Sequence, residues 1–131
     1  MEKIFDKACI DTLMAQAAGN SRRRQFFDLR NSAADTSQRI LNALLPDTQV
    51  PIHRHESTSE TVICLSGRLE EVFYECESTE EGTTSYREIG RVLLCPTESK
   101  YGVQIPAGVW HNIVVYEPSV IFEAKDGPYM G

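Results

Sequence analysis

At 131 residues, 41% of them apolar and 24% charged, the chain has the size and composition of one globular domain with its own core. A net charge of −6 argues against non-specific nucleic-acid binding, which needs basic surface to displace counterions. No apolar run approaches the roughly 18–20 residues of a membrane-spanning helix, so no membrane partner is expected.

Met1 to Asp6 lacks a basic region followed by an apolar core, so no export signal is read there. Cys9, Cys64, Cys76 and Cys95 form no Cys-x-x-Cys pair and do not cluster with the histidines. Reduced thiols in a cytoplasmic protein are therefore expected. Cys64 and Cys95 sit in apolar runs and are expected in the core.

Along residues 4–18, Ile4, Cys9, Ile10, Leu13, Met14 and Ala17 recur at helical spacing, and Gly19-Asn20 is a stop. One short amphipathic helix outside the main fold is predicted. Ser21-Arg22-Arg23-Arg24 reads as a solvated face or, alternatively, as an anion contact at a pocket mouth. Residues 26–30 are a candidate edge strand. Residues 38–45 fit strand or helix by periodicity alone, and strand is chosen because the remainder is β-like.

From Val50 onward short strands alternate with turns. Val50–His53, Glu60–Leu65, Arg68–Glu75, Ser85–Glu88, Arg91–Cys95, Tyr101–Ile105, Asn112–Tyr116 and Ser119–Lys125 are the predicted strands. Ser66-Gly67 is taken as a hairpin turn, Glu77–Gly82 as a loop, and Glu117-Pro118 as the join between the last two strands. Pro106-Ala107-Gly108 is a tight turn before His111. Many short strands after a lone helix predict a mainly β sandwich or barrel in a single domain. Residues 1–30 are its N-terminal helix and edge extension, 38–125 its barrel and 126–131 its tail.

The chain has three histidines, His53, His55 and His111. In a strand, residues i and i+2 share a face, so His53 and His55 project together while Arg54 points away. Glu60 returns after a short turn, and the Pro-x-Gly turn can bring His111 alongside. Three imidazoles and one carboxylate suit one divalent first-row ion such as Fe, Mn, Co, Ni, Cu or Zn.

His53-x-His55, four residues, Glu60, six residues, Gly67 resembles the first motif of the cupin superfamily. Gly102, three residues, Pro106-x-Gly108, two residues, His111 resembles the second. In the second motif the glycine usually lies further upstream, and an Asn commonly follows the histidine by four residues; here Val115 stands there. The resemblance implies a single jelly-roll barrel in which His53, His55, Glu60 and His111 bind one metal ion. Ser21–Arg30, Gln38–Leu44, Ile105–His111 and Phe122–Tyr129 look like the WbuC family of cupin-fold metalloproteins, which occur in bacterial O-antigen gene clusters. That family commonly has a Pro where this chain has Arg22.

A divalent ion with one carboxylate ligand keeps a net positive charge, which suits an anionic or oxygen-chelating small molecule. Lys125, Tyr129, Arg54 and Arg39 are the candidate residues to hold it. Glu123 and Tyr129 are candidate general bases, since no histidine is left over. Lys125 shares strand parity with Ile121 and Glu123, and either face of that strand can be the inner one.

Three activities fit these residues. The first is a metalloenzyme acting on a small sugar-derived or anionic substrate by Lewis-acid chemistry. The others are an iron-dependent dioxygenase and a non-catalytic metal-dependent binding or accessory protein. A homodimer through exposed sheet edges is a further expectation, and Trp110 is either a pocket wall or a core residue.

Overall fold

The structure is a computed structural model that describes residues 2–78 and 82–127. Helix α1 spans Lys7–Ala18. The Asp6 carboxylate accepts the Cys9 N–H at 3.0 Å and fixes the start. The helix therefore begins later than the apolar spacing predicts, and Ile4 is left outside it and 71% exposed. Leu13 and Ala17 are buried, with Cys9, Ile10 and Met14 packed beside them, so the rest of the predicted stripe faces the body.

Strands β1 (Arg24–Asp28), β2 (Ser37–Leu44), β3 (Glu60–Ser78), β4 (Ser85–Leu94), β5 (Gly102–Ile105) and β6 (Trp110–Asp126) follow. They pair antiparallel in the order β1-β2-β6-β3-β4, with β5 also on β3. The mainly β architecture with one helix is the one expected. The predicted strand at residues 38–45 is β2, and the predicted edge strand is β1.

Three breaks expected from turn residues are not chain reversals. β3 runs straight through Ser66-Gly67, and β6 through Glu117-Pro118. The two sites lie opposite each other, at register shifts of the β3–β6 ladder. Gly67 has φ +101°, and a Cβ there would sit 2.2 Å from Ser119 Oγ and 2.5 Å from the Pro118 carbonyl oxygen. Glycine is needed for this close approach of two bending strands, not for a hairpin. Ser119 Oγ holds the bend by accepting the Arg68 N–H at 3.0 Å and donating to the Glu117 carbonyl at 2.7 Å. Likewise Ser85–Leu94 is one strand, with a register shift where Phe73 and Tyr74 face Gly90 and Glu88. The loop predicted at Glu77–Gly82 begins later, because β3 extends to Ser78; residues 79–81 lie outside the described residues.

β2 and β6 separate two apolar clusters by strand alternation. Leu41, Ala43 and Val120 face α1, together with Phe122. Leu44 and Ile121 face the barrel interior, where Leu69, Leu94, Ile105 and Val115 join them. Cys64 and Cys95 are free and each 3% exposed, so they are core residues as expected. Burial pushes the Cys64 thiol up to about 11.

Toward the other end of the interior the lining becomes polar. Two residues beyond Ile121 on β6 comes Glu123, and then Lys125, paired across the ladder with Glu60. The inner face of β6 is thus the Ile121, Glu123, Lys125 face.

Candidate metal centre

The His53 segment is not a strand. Residues 50–52 form no ladder, and His53 makes only an isolated bridge to His111. Backbone bonds hold it nevertheless. His53 N–H donates to His111 O at 3.0 Å, and His111 N–H returns to His53 O at 2.8 Å. Gly108 N–H donates to His55 O at 2.7 Å, from a backbone with φ +83°. Between the two histidines, the Arg54 guanidinium lies over the Trp110 ring, 4.7 Å from its centroid. Trp110 is thus a half-buried anchor, itself 5.2 Å from the Tyr86 ring.

These restraints bring the three imidazoles together, with centroids 4.3 Å apart for His53–His111, 5.3 Å for His53–His55 and 5.7 Å for His55–His111. One ligand atom from each lies within 4.8 Å of the others. His53 Nδ1 is 2.9 Å from the Pro51 carbonyl, and His111 Nδ1 is 2.9 Å from the Val109 carbonyl. A carbonyl only accepts, so both Nδ1 atoms carry the hydrogen and both Nε2 atoms keep a lone pair. Burial pushes the His53 imidazole down, which also favours the neutral form.

Glu60 opens β3 and is 5% exposed. Its Oε2 is 3.1 Å from His55 Nε2, and its Oε1 is 3.7 Å from His111 Nε2. Burial raises its carboxyl, but the facing His111 and His55 pull it down to about 2. Despite these distances, His55 Nε2 and His111 Nε2 are buried without a hydrogen-bond partner among the described residues. Buried ring nitrogens are seldom left so, and lone pairs aimed past one another at a carboxylate are what ligands of a common ion present. The donor set of three imidazoles and one carboxylate fits, and this group can hold a divalent first-row ion.

The cluster lines a cavity of about 500 Å³ inside the barrel. Lys125 lines it and is 9% exposed. Glu123 lines it too, its carboxyl pushed up to about 8 by burial and by the charge of Glu60. Arg54 borders the cavity, but its charge is engaged by Trp110 and by Glu56 at 3.1 Å. Arg39 alternates to the other face of β2, where it pairs with Asp35 and donates to Ser37 O at 3.2 Å. Tyr129 lies outside the described residues.

Glu71 is a cavity residue that sequence reasoning did not single out. It is 0% exposed, and neither carboxylate oxygen has a hydrogen-bond partner among the described residues. Burial, with Glu123 and Glu60 nearby, raises its carboxyl well above the ordinary range. On β3 it pairs with Ile113, two residues along from the Phe73–His111 pair. It therefore sits between the imidazole cluster and the apolar core.

A family model described as a domain of unknown function, DUF6016, matches residues 5–85. The chain belongs to the DUF6016 family. The matched stretch of this DUF6016 chain contains His53, His55 and Glu60 but not His111. No curated protein matches it.

Solved structures that resemble the chain include the cupin domain of Schizosaccharomyces pombe Cnp3, at TM-score 0.53 and 11% identity over 82% of this chain and 66% of that one. KdgF from Halomonas sp. matches at TM-score 0.53 and 15% identity, over 81% of this chain and 79% of that one. The capsular polysaccharide assembling protein CapF of Staphylococcus aureus matches at 0.55 and 18%, over 84% of this chain but 27% of that one. At such identities the likeness shows the fold, and the fold of this DUF6016 chain is the cupin jelly roll.

Proposed function

We propose that His53, His55, Glu60 and His111 hold one divalent first-row ion, and that the protein is a metalloenzyme acting on a small, oxygen-rich, sugar-derived molecule in the cavity above it. The observation that carries this reading is the pair of buried, unpartnered Nε2 atoms beside a buried carboxylate. When bound, the ion would polarise a carbonyl or hydroxyl oxygen of the ligand. The protein's own groups supply the rest. Glu123, neutral up to about pH 8, can donate a hydrogen bond or proton to a ligand oxygen, and Lys125 can hold a negative one.

Several cavity carboxyls and one lysine make a lining that suits hydroxyl groups better than a fully ionised ligand. A role in sugar chemistry of the bacterial surface, with WbuC-like relatives and a cytoplasmic setting, is the finer form of the proposal. It draws support from the sequence resemblance and from the polysaccharide role named for CapF. Tyr129, on the tail, belongs to the same proposal as a ligand contact. Pairing of two copies through exposed edges is proposed as well, and gel filtration checks it.

Elemental analysis of protein expressed without added metal tests the core of this reading. The expected result is about one first-row ion per chain, in line with the one histidine cluster among the described residues, and its loss in both His53→Ala and His111→Ala. Failure to take up any ion from a panel would overturn it.

A further inference from the structure

Every buried side-chain polar atom that lacks a hydrogen-bond partner among the described residues belongs to a residue lining the one cavity. Two of these atoms are the ring nitrogens of His55 and His111. The other four are oxygens: Gln38 Oε1, Asn42 Oδ1 and both carboxyl oxygens of Glu71. No N–H group is among those four, so what the lining lacks is donors.

Glu71 is the most deeply placed of the three, 0% exposed against 3% for Gln38. Leu69 and Phe73 flank it on the same face of β3. Its ladder partners are Ile113 on β6 and Val92 on β4. All four are apolar, so these side chains offer Glu71 neither a donor nor a cation.

Two further groups join it. Burial opposes ionisation of Glu71, and the charges of Glu123 and Glu60 add to that opposition. Burial and Glu60 likewise raise the Glu123 carboxyl, while a side-chain hydrogen bond from Asn42 acts against them. The Asn42 amide N–H therefore faces Glu123, which leaves Oδ1 as its unpartnered end. The cations that line the cavity lie elsewhere. Lys125 is level with Gln38 and Glu60 in the ladders, and Arg22 is exposed. Arg24 donates to Gln49 O at 2.8 Å, and Arg54 pairs with Glu56 at 3.1 Å.

We propose that the wall formed by Glu71, Glu123 and Asn42 is a subsite for a protonated primary amine, with Glu71 as its counter-charge, so that the ligand is a small polyhydroxyl compound bearing one amino group. This deepens the reading of a sugar-derived ligand and rests on the cavity being its site, but it does not require an ion at the imidazoles. An ammonium group brings three N–H donors and a positive charge, whereas a hydroxyl brings one donor and no charge. When the amine is bound, Glu71 gives its proton to solvent and its carboxylate balances the ammonium. Glu123 keeps its proton for a ligand oxygen.

The test uses the full chain stripped of metal with a chelator and dialysed. Glucosamine and glucose, which differ in one amino group, are titrated in slightly acidic buffer at constant ionic strength, with methylammonium as the bare amine. ¹⁵N–¹H spectra are read at the Asn42 side-chain amide and the Ile113 backbone N–H. Saturable shifts at these groups are expected with both amines, and glucosamine should bind at least about tenfold more tightly than glucose, as a charge-assisted contact requires. Glu71→Gln keeps the shape and removes the charge, so it should weaken glucosamine until the two sugars bind alike. Glu117→Gln, exposed at the bend of β6, should keep the preference. Equal affinity for the two sugars, an undiminished preference in Glu71→Gln, or no saturable shift with either amine would overturn the subsite. Because the protein is metal-free, each of these failures is distinct from failure to take up an ion.

Discussion

The two ends of the barrel interior are built from the same strands and obey opposite rules. At one end Leu44, Leu69, Leu94 and Ile121 are each 0 or 1% exposed and belong to one apolar cluster. At the other, Glu71 and His111 are buried as deeply and Glu60 is 5% exposed, yet several of the buried polar atoms there lack partners among the described residues. The apolar end lowers the free energy of the fold, since burial of such side chains contributes roughly 1.5–3 kcal/mol each. The polar end raises it, since a buried unsatisfied group costs about 1–3 kcal/mol. A fold that carries such a cost in one place has reserved that place for something that enters.

Truncation at the apolar end should have the largest effect on stability. Leu69→Ala removes a side chain with 0% exposure from the interior cluster. It should lower the unfolding free energy by about 2–5 kcal/mol, measured by denaturant titration. Since Leu69 belongs to the apolar cluster and is not one of the proposed metal ligands, the variant that remains folded should bind metal with the same stoichiometry. Loss of metal at temperatures where it is folded would show that the two ends are not separable.

Substitution at the polar end should act in the opposite direction. Glu71→Gln should raise the stability of the metal-free protein near neutral pH by about 1 kcal/mol or more, because a neutral amide avoids the cost of holding a proton on a buried carboxyl. The sign in pH follows from the direction of the shift. Glu71 has a folded value well above its ordinary 4.5, so the folded state holds the proton after the unfolded state has lost it. Stability then falls as pH rises above 4.5, and Glu123 adds to this fall up to about pH 8. Glu60, held down to about 2, contributes in the other sense: its stabilisation is present above 4.5 and is lost as pH falls toward 2. Melting temperature against pH should therefore decline less steeply between 4.5 and 8 in Glu71→Gln than in the unmodified chain. An unchanged slope would mean that Glu71 is satisfied by water or a neighbour.

The contrast between the ends also explains what could be read from the sequence. The grouping of His53, His55, Glu60 and His111 was legible because their residue types and spacing together resemble a known motif, and the structure brings them side by side. The helix was legible from its apolar period, apart from the start that Asp6 sets. Glu71 was not, because Leu69 and Val72, on opposite parities of β3, are both 0% exposed, so the strand shows no alternation that would tell inside from outside. Beside Glu70, it looks like ordinary surface charge. Gly67 was misread for a different reason. Ser-Gly is a common turn signal, and the atoms that require glycine there belong to Pro118 and Ser119, far along the chain. Local signals name residues; they do not report which distant strand comes close.

The smallest expected effect lies between the two ends' rules, at a residue that is neither core nor ligand. Arg54 stands between two imidazoles on a segment without a ladder, and its guanidinium rests on Trp110, the residue before His111. Stacking of this kind is worth about 0.5–1 kcal/mol at an exposed site, so Arg54→Ala should change stability little. Its consequence should appear in metal affinity instead. Residues that orient ligands typically contribute about ten- to a hundredfold to affinity, and the lower figure is expected because three backbone bonds already restrain His53, His55 and His111. Arg54→Lys preserves the charge but not the planar stack, so it should resemble Arg54→Ala if the ring contact matters, and the unmodified chain if only charge does. Competition with a chromophoric chelator measures all three proteins. Equal affinities would mean that the paired His53–His111 backbone bonds alone set the geometry of the imidazoles.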